Sequence, residues 1–323
     1  MEKSTEDPAH GVDQKDAAQQ KTDLKNLTSE ELVQYAESLG QPGFRGRQIM
    51  AWLYRPGITD FMEMTDLAKA FRAVLTEHAY MSQFKDPVTE ISADGAVKFG
   101  FRLDDGEVIE SVLIPEEDRS TLCVSSQVGC AMGCRFCLTG EMGFRRNLTR
   151  AEIVNQVCAV RDWLLARYGE ESGHELTNIV FMGMGEPLAN LDNLLASLSL
   201  LTEQRGLDFA TRRITVSTCG IVPKMVELGS RIGVNLAVSL HAADDATRSR
   251  LMPVNDRWPI SELLAACKAY PGKKRQRIMF EYTLFAGIND RDEDAHRLAD
   301  LLRDIPCKIN LLSMNEGGSV EYT

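Results

Sequence analysis

The chain has little that could cross a membrane, bind metal through imidazole or attract nucleic acid by bulk charge. Its longest apolar stretches, such as that around Leu194 to Leu201, are too short or interrupted for a bilayer helix of about 20 apolar residues. The N-terminus is polar and mixed in charge without the apolar region of a signal peptide, so the expectation is a cytoplasmic protein with no membrane association. Histidine is scarce, five in 323 residues, and none stands near enough in sequence to complete a zinc knuckle with the cysteines described below. Basic excess is also missing, the net charge being -11. Summed charge governs solubility and steering, whereas phosphate contacts need only a local patch. Four candidate patches exist: Arg45 with Arg47, Arg145 with Arg146, Arg248 with Arg250, and Lys273-Lys274-Arg275-Gln276-Arg277. Each alone reads more readily as a solvated face than as a binding site, so composition neither establishes nor excludes an RNA substrate.

What the chain does have is cysteine. Eight cysteines in a chain expected to stay in the cytoplasm argue for metal or redox chemistry over disulfide staples. Three of them form Cys130-Ala-Met-Gly-Cys134-Arg-Phe-Cys137. Soft thiolates select zinc, copper(I) or iron-sulfur centres. Three ligands at this spacing can hold three irons of a [4Fe-4S] cluster and leave the fourth open to an external molecule. Zinc is the chief competitor, and burial as small hydrophobes is the bland reading. Cys123, seven residues upstream, is a fourth ligand only if the chain loops back.

A chain of 323 residues and 36.0 kDa, with 44% hydrophobic residues, can bury a sizeable core as one large domain with a smaller attachment. Residues 1–22 are polar and read as a disordered tail, with order beginning near Leu24. Residues 23–85 read as a small helical module. Thr28 or Ser29 caps its first helix, Gly40 and Pro42-Gly43 end that helix, a second runs through Gln48, Ile49, Trp52 and Leu53, and a third spans about 66–78. Over residues 86–117 the apolar period falls to two. Val97, Phe99 and Phe101 precede an Asp104-Asp105-Gly106 turn, and Val108 to Pro115 returns as the second strand of a hairpin, with Glu110 on the face of Val108 and Val112. From residue 118 to 323, six apolar strands alternate with amphipathic helices, which indicates a parallel sheet covered by helices, with ligand-binding loops at the carboxyl ends of the strands.

The cysteine loop resembles that of the radical-SAM superfamily, in which it holds a [4Fe-4S] cluster whose unique iron binds S-adenosylmethionine. Two further stretches, Cys123-Val-Ser-Ser-Gln-Val-Gly-Cys130 and Gly143-Phe-Arg-Arg-Asn-Leu148, narrow the resemblance to the bacterial dual-specificity ribosomal and transfer RNA adenine-C2 methyltransferases, from about Leu27 onward. The resemblance implies an α/β fold: a partial (βα)6 TIM-like radical-SAM barrel with a small N-terminal helical accessory domain that contacts RNA and a β-hairpin linker. It implies one [4Fe-4S] cluster on Cys130, Cys134 and Cys137. It also implies S-adenosylmethionine held by Gly185 and Glu186 within Gly183-Met-Gly-Glu-Pro187, by Ser217, by Ser239-Leu240-His241 and by Asn315. Without the resemblance, the Gly-Glu segment is a generic turn and His241 a structural hydrogen-bonding group. Phe136 could exclude water from the cluster or simply pack.

In the mechanism the resemblance implies, one S-adenosylmethionine methylates a carrier cysteine, and a second is cleaved to a radical that takes hydrogen from that methyl. The carbon then adds to C2 of an adenine in 23S rRNA, or in tRNA next to the anticodon. C2 is electron-poor, so radical addition avoids the carbanion that direct attack on a sulfonium would need. Glu110 matches the base that removes the C2 proton, and Cys123 the cysteine that resolves the protein–RNA crosslink. The implied partners are 23S rRNA or its precursor, tRNA, and a low-potential electron donor such as flavodoxin or ferredoxin, and the expected state is a monomer. The sequence departs from the family pattern at one point: no Ala-Cys-Gly-Gln-like motif bearing the carrier cysteine occurs before Thr323, and Cys158, Cys219, Cys267 and Cys307 do not stand in such a motif. The alternatives are an adenine-C8 methyltransferase of the same family, a catalytically incomplete cofactor-binding RNA-recognition protein, and a zinc-stabilised RNA-binding protein.

Overall fold

A computed structural model of the chain describes residues 21–117, 119–169, 175–271 and 276–314. Asn315, the basic residues Lys273 to Arg275 and most of the expected tail lie outside the described residues. Order begins before Leu24, because Thr22–Asp23 (β1) pairs in parallel with Ala79–Tyr80 (β2). Backbone pairing with a distant strand, which apolar content does not reveal, orders these two residues.

Between them lies a helical unit of α1 (Ser29–Ser38), α2 (Phe44–Leu53) and α3 (Lys69–His78). Thr28 is the cap of α1: its hydroxyl accepts from the Glu31 backbone and the Glu31 carboxylate accepts from the Thr28 backbone, a reciprocal capping box. The Glu31 carboxylate also accepts from Arg150 Nη1 at 2.6 Å, and Lys25 Nζ donates to Asn155 Oδ1 at 2.8 Å. Both partners lie on one long barrel helix, so the unit is fastened to that helix rather than tethered.

The strands β3 (Val88–Ile91), β4 (Val97–Arg102) and β5 (Val108–Pro115) form an antiparallel meander. The expected two-stranded linker is therefore three strands, and it is continuous with the barrel, since β5 pairs antiparallel with β6 (Ser120–Cys123). Period-two patterning identifies the buried face of a strand but not its neighbour, which is why the join was not legible.

After β6 come a short clasp of β7 (Gln127–Val128), α4 (Leu138–Glu141) and β8 (Arg146–Asn147), then α5 (Arg150–Tyr168) and β9 (Leu176–Phe181). The alternation continues through α6 (Leu191–Thr202), β10 (Ile214–Thr218), α7 (Val222–Arg231), β11 (Asn235–Ser239), α8 (Asp245–Leu251), α9 (Ile260–Ala269), β12 (Ile278–Leu284), α10 (Asp292–Leu302) and β13 (Cys307–Ser313). Helix α8, seven mostly polar residues, has no counterpart in the sequence reading. One nine-stranded sheet results, in the order β13-β12-β11-β10-β9-β6-β5-β4-β3, and the six strands from β6 to β13 run parallel. This is the expected partial (βα)6 barrel. Its carboxyl edge gathers the loops after each strand.

Candidate active site

The cysteine loop begins seven residues after β6 and is held shut at its base. Strand β7 pairs with β8, so the segment from Gly129 to Arg145 closes as a loop. Gly129 adopts φ +70°, and a Cβ there would stand 1.7 Å from the Gly143 carbonyl oxygen, a closure open only to glycine. The Arg135 backbone N–H donates to the Leu251 carbonyl at 3.0 Å, tying the loop to the end of α8.

Cys130, Cys134 and Cys137 line one cavity of about 300 Å³ together with Gly185, Glu186, Ser217, Ser239 and His241. A larger recess of about 1110 Å³ opens at the foot of the strands near Thr215, Asn235 and Cys267, but it holds none of these groups. Of the remaining expected cofactor residues, Leu240 does not line the cavity: its side chain is buried, its N–H donates to the Glu281 carbonyl and its carbonyl accepts from Arg248. Its neighbours Ser239 and His241 face the cavity instead.

Gly185 sits at φ +95°, and a Cβ would meet Gln127 Cβ at 2.5 Å, so the turn that presents Glu186 requires glycine. The Glu186 carboxylate is buried and already accepts from Leu188 N–H at 3.0 Å and Cys219 N–H at 2.8 Å. The Cys219 thiol and the Thr218 hydroxyl bond to it as well, so any further donor shares an already well-supplied carboxylate. Burial raises its pKa, partly offset by the bonds from Cys219.

Burial, then the neighbouring Cys137, Cys130 and Glu186, pushes the Cys134 thiol up to about 12, and burial raises Cys130 as well. Latent negative charge is thus concentrated on one wall, and a cationic occupant relieves it. Among the described residues no group of three or more His, Cys, Asp and Glu side chains closes around a single ion. Three thiols lining a cavity this wide fit a group several atoms across, and the donor set is that of an iron-sulfur cluster.

His241 is held in a left-handed conformation, φ 55°. Its Nδ1 accepts from the Thr283 backbone N–H at 2.9 Å, so a neutral ring carries its proton on Nε2. Burial, with the Arg248 charge behind it, lowers its pKa to about 3. Phe136 packs edge-on to this ring at 4.9 Å and lies 5.2 Å from Phe285, an apolar wall beside the cysteines.

Cys123 and Glu110 do not line the cavity. Cys123 pairs in register with Val112 and Val180, and Glu110 lies two residues from Val112 on the same face. The antiparallel register puts Glu110 nearer the carboxyl edge than Cys123, where Ser125 Oγ donates to the Glu110 carbonyl at 2.6 Å. Burial raises Cys123 to about 11. The Glu110 carboxylate is exposed, 3.9 Å from Lys98 Nζ.

Two basic patches each lose one arginine, while Arg145 and Arg250 stay exposed. Arg248 is fully buried and donates to Leu240 O, Ser239 O, Cys219 O and Asn255 Oδ1. It is a brace for the carbonyls behind the site, unavailable to phosphate. Arg146 is clamped between Asp105 at 2.5 Å and a two-pronged Glu152 at 2.8 Å, with its guanidinium held strongly basic. Sequence shows charge but not burial, and nothing in the Asp-Ala-Thr-Arg-Ser-Arg-Leu run separates the buried Arg248 from the exposed Arg250. Gln156 and Glu281 were also missed, and only Glu281 carried a signal, as a lone carboxylate within an apolar strand.

A six-stranded parallel half-barrel with three thiols at the carboxyl edge of its first strand is the architecture of a radical-SAM protein. The radical SAM superfamily pattern matches residues 124–299, and that of the ribosomal RNA large subunit methyltransferase N-terminal domain matches residues 22–81. The chain belongs to the dual-specificity RNA methyltransferase RlmN family: it is 62% identical over 305 residues to the protein of that name from Desulfotalea psychrophila, covering 94% of this chain and 84% of the relative. It is 54% identical to the Geobacter sulfurreducens protein over 294 residues, 91% of this chain and 79% of the relative. A crystal structure of a radical SAM methyltransferase from Sphaerobacter thermophilus superposes with a TM-score of 0.83 at 46% identity, covering 91% of this chain and 85% of the other. The relatives do not favour the adenine-C8 alternative. Among the described residues, no helix is long and apolar enough to cross a membrane.

Proposed function

We propose that this chain methylates C2 of adenine in 23S rRNA, at the peptidyl-transferase centre, and in tRNA next to the anticodon, using two S-adenosylmethionine molecules and a methyl-cysteine intermediate whose carrier is not among the eight cysteines of this sequence. The observation that carries this reading is the meeting of three thiols, the Gly185-Glu186 turn and the strand-end serines in one cavity of a chain whose relatives are named dual-specificity RNA methyltransferases.

In this reading Cys130, Cys134 and Cys137 would hold a single [4Fe-4S] cluster. When bound, the cluster delivers the electron that splits the cofactor's sulfonium. Glu186 accepts from the cofactor's ammonium group, a charge-assisted contact that burial strengthens. Ser217 and Ser239 hold the nucleoside portion, and the neutral His241 offers its Nε2 proton as a donor. Asn315 is assigned to the cofactor as well. Phe136 and Phe285 keep water from the reacting groups.

Glu110, exposed and nearer the carboxyl edge than Cys123, takes the C2 proton, and Cys123 resolves the crosslink. Burial keeps the Cys123 thiol protonated at neutral pH, so its attack must be coupled to loss of that proton. Cys158, Cys219, Cys267 and Cys307 are assigned no carrier role. The helical unit positions RNA, a low-potential donor such as flavodoxin or ferredoxin supplies electrons, and the enzyme works as a cytoplasmic monomer. The test is nucleoside mass spectrometry of rRNA and tRNA from cells with and without the gene. Loss of 2-methyladenosine from both RNAs is the expected result. Its retention, or loss of 8-methyladenosine instead, overturns the reading.

A further inference from the structure

Strand β12 is apolar over most of its length but carries one carboxylate, Glu281, at its centre. The residue is 7% exposed and lines the cavity that holds the three thiols. Its Oε2 accepts from Asn310 Nδ2 at 2.8 Å, whereas its Oε1 is buried with no hydrogen-bond partner. Burial accordingly raises its pKa, opposed by Asn310. Buried polar atoms without partners are rare because each carries an uncompensated desolvation cost. The others among the described residues belong to Tyr54, Arg72, Ser197 and Tyr270, and none of these lines this cavity. Glu281 thus lines the cavity with an unpartnered acceptor, which a turn of its side chain would bring to an occupant.

The register says which part of a ligand it meets. Glu281 pairs with Ser239 on β11 and with Asn310 on β13, so the three form one polar row across neighbouring strands. Glu186 follows β9, three strands away, on the order of 14 Å along the sheet at ordinary strand spacing. A cofactor whose amino-acid end lies at Glu186 beside the cysteines therefore carries its sugar toward β11 and β12.

We infer that Glu281 Oε1 accepts a hydrogen bond from a ribose hydroxyl of S-adenosylmethionine, an assignment that rests on the cavity being the cofactor site proposed above. Carboxylates are natural acceptors for sugar hydroxyls, as in dinucleotide sites where an acidic residue takes the ribose 2′-hydroxyl. Ser239 stands beside Glu281, so the pair can engage two adjacent hydroxyls. A vicinal diol offers two separate oxygens that each donate or accept, whereas the amino group of a purine only donates, from a single nitrogen.

The test is equilibrium binding of S-adenosylmethionine and its 2′-deoxy and 3′-deoxy analogues to anaerobically reconstituted wild type, Glu281→Ala and Glu281→Gln. Glu281→Ala is expected to weaken the natural cofactor about tenfold or more. Glu281→Gln should weaken it less, because a neutral acceptor remains. One deoxy analogue should lose a similar factor against wild type and little further against Glu281→Ala. Unchanged iron content and thermal midpoint exclude misfolding as the cause. If the alanine variant does not fold, the glutamine variant decides: an undiminished deoxy penalty overturns the assignment. Unaltered affinity in the variants, or deoxy penalties that simply add to theirs, also overturns it. A wild type that binds no S-adenosylmethionine removes the cofactor site and this assignment together, whereas failure confined to the Glu281 comparisons leaves the site standing.

Discussion

Gln156 grips Ser125 from both sides: its Oε1 accepts from the Ser125 backbone N–H at 2.7 Å and its Nε2 donates to the Ser125 carbonyl at 2.9 Å. The same Oε1 accepts from the Ser111 hydroxyl at 2.7 Å. Ser125 Oγ donates to Glu110 O and accepts from Met184 N–H at 2.9 Å. One buried amide thus joins α5, the hairpin and the chain entering the cysteine loop.

Gln156→Leu keeps the volume but leaves up to three buried polar groups without partners. At about 1–3 kcal/mol for each unsatisfied group, partly relieved by relaxation, the expected loss is about 2–4 kcal/mol. Urea unfolding of the apoprotein measures it, and a change under about 1 kcal/mol would show that the clamp is replaceable.

Cys134→Ser should abolish the broad iron-sulfur absorption after anaerobic reconstitution, whereas Cys267→Ser, at the foot of the sheet, should retain it. Iron and zinc analysis on the same samples checks the metal. Stoichiometric zinc without iron in wild type would reverse the assignment of the triad.

Arg248→Gln removes a buried cation that serves three carbonyls and Asn255. The expected cost is about 3 kcal/mol or more, seen as a large fall in thermal midpoint or loss of soluble protein. An Arg248 variant of full stability with weakened, salt-sensitive RNA binding would restore the phosphate-contact reading.

His241 makes stability depend on pH with a definite sign. Its folded pKa, about 3, lies below the unfolded value of about 6.5, so between these limits the unfolded chain binds the extra proton. Stability should therefore be unaffected by this residue above about pH 6.5 and fall by up to about 1.4 kcal/mol for each pH unit below it. His241→Asn, which tolerates the left-handed conformation, should flatten that part of a denaturant-unfolding profile between pH 7 and 5.5. An identical slope in the variant assigns the acid sensitivity elsewhere.

The parallel strands and the cysteine triad were legible because each is a local pattern: short apolar runs between amphipathic helices, and ligands seven residues apart at most. Pairing was not. Thr22 with Ala79 and Val112 with Cys123 are contacts that no window of sequence contains. Arg248 and Arg146 looked alike as surface charge, yet one is a buried brace and the other is clamped by two carboxylates. Glu110 and Cys123 share a sheet face, which alternation alone could supply for Glu110 but not for the pair. The unpartnered oxygen of Glu281 depends on neighbours from three strands, which no single stretch of sequence contains.

Helix α5 carries two fastenings within seven residues. Arg150 and Asn155 hold the N-terminal helical unit through Glu31 and Lys25, and Gln156 holds the segment after β6 that leads to the thiols. Such a helix behaves as a ruler. An RNA that touches both the helical unit and the cavity must present two features at a fixed separation, so a ribosomal RNA and a transfer RNA can be equivalent substrates if their outlines match.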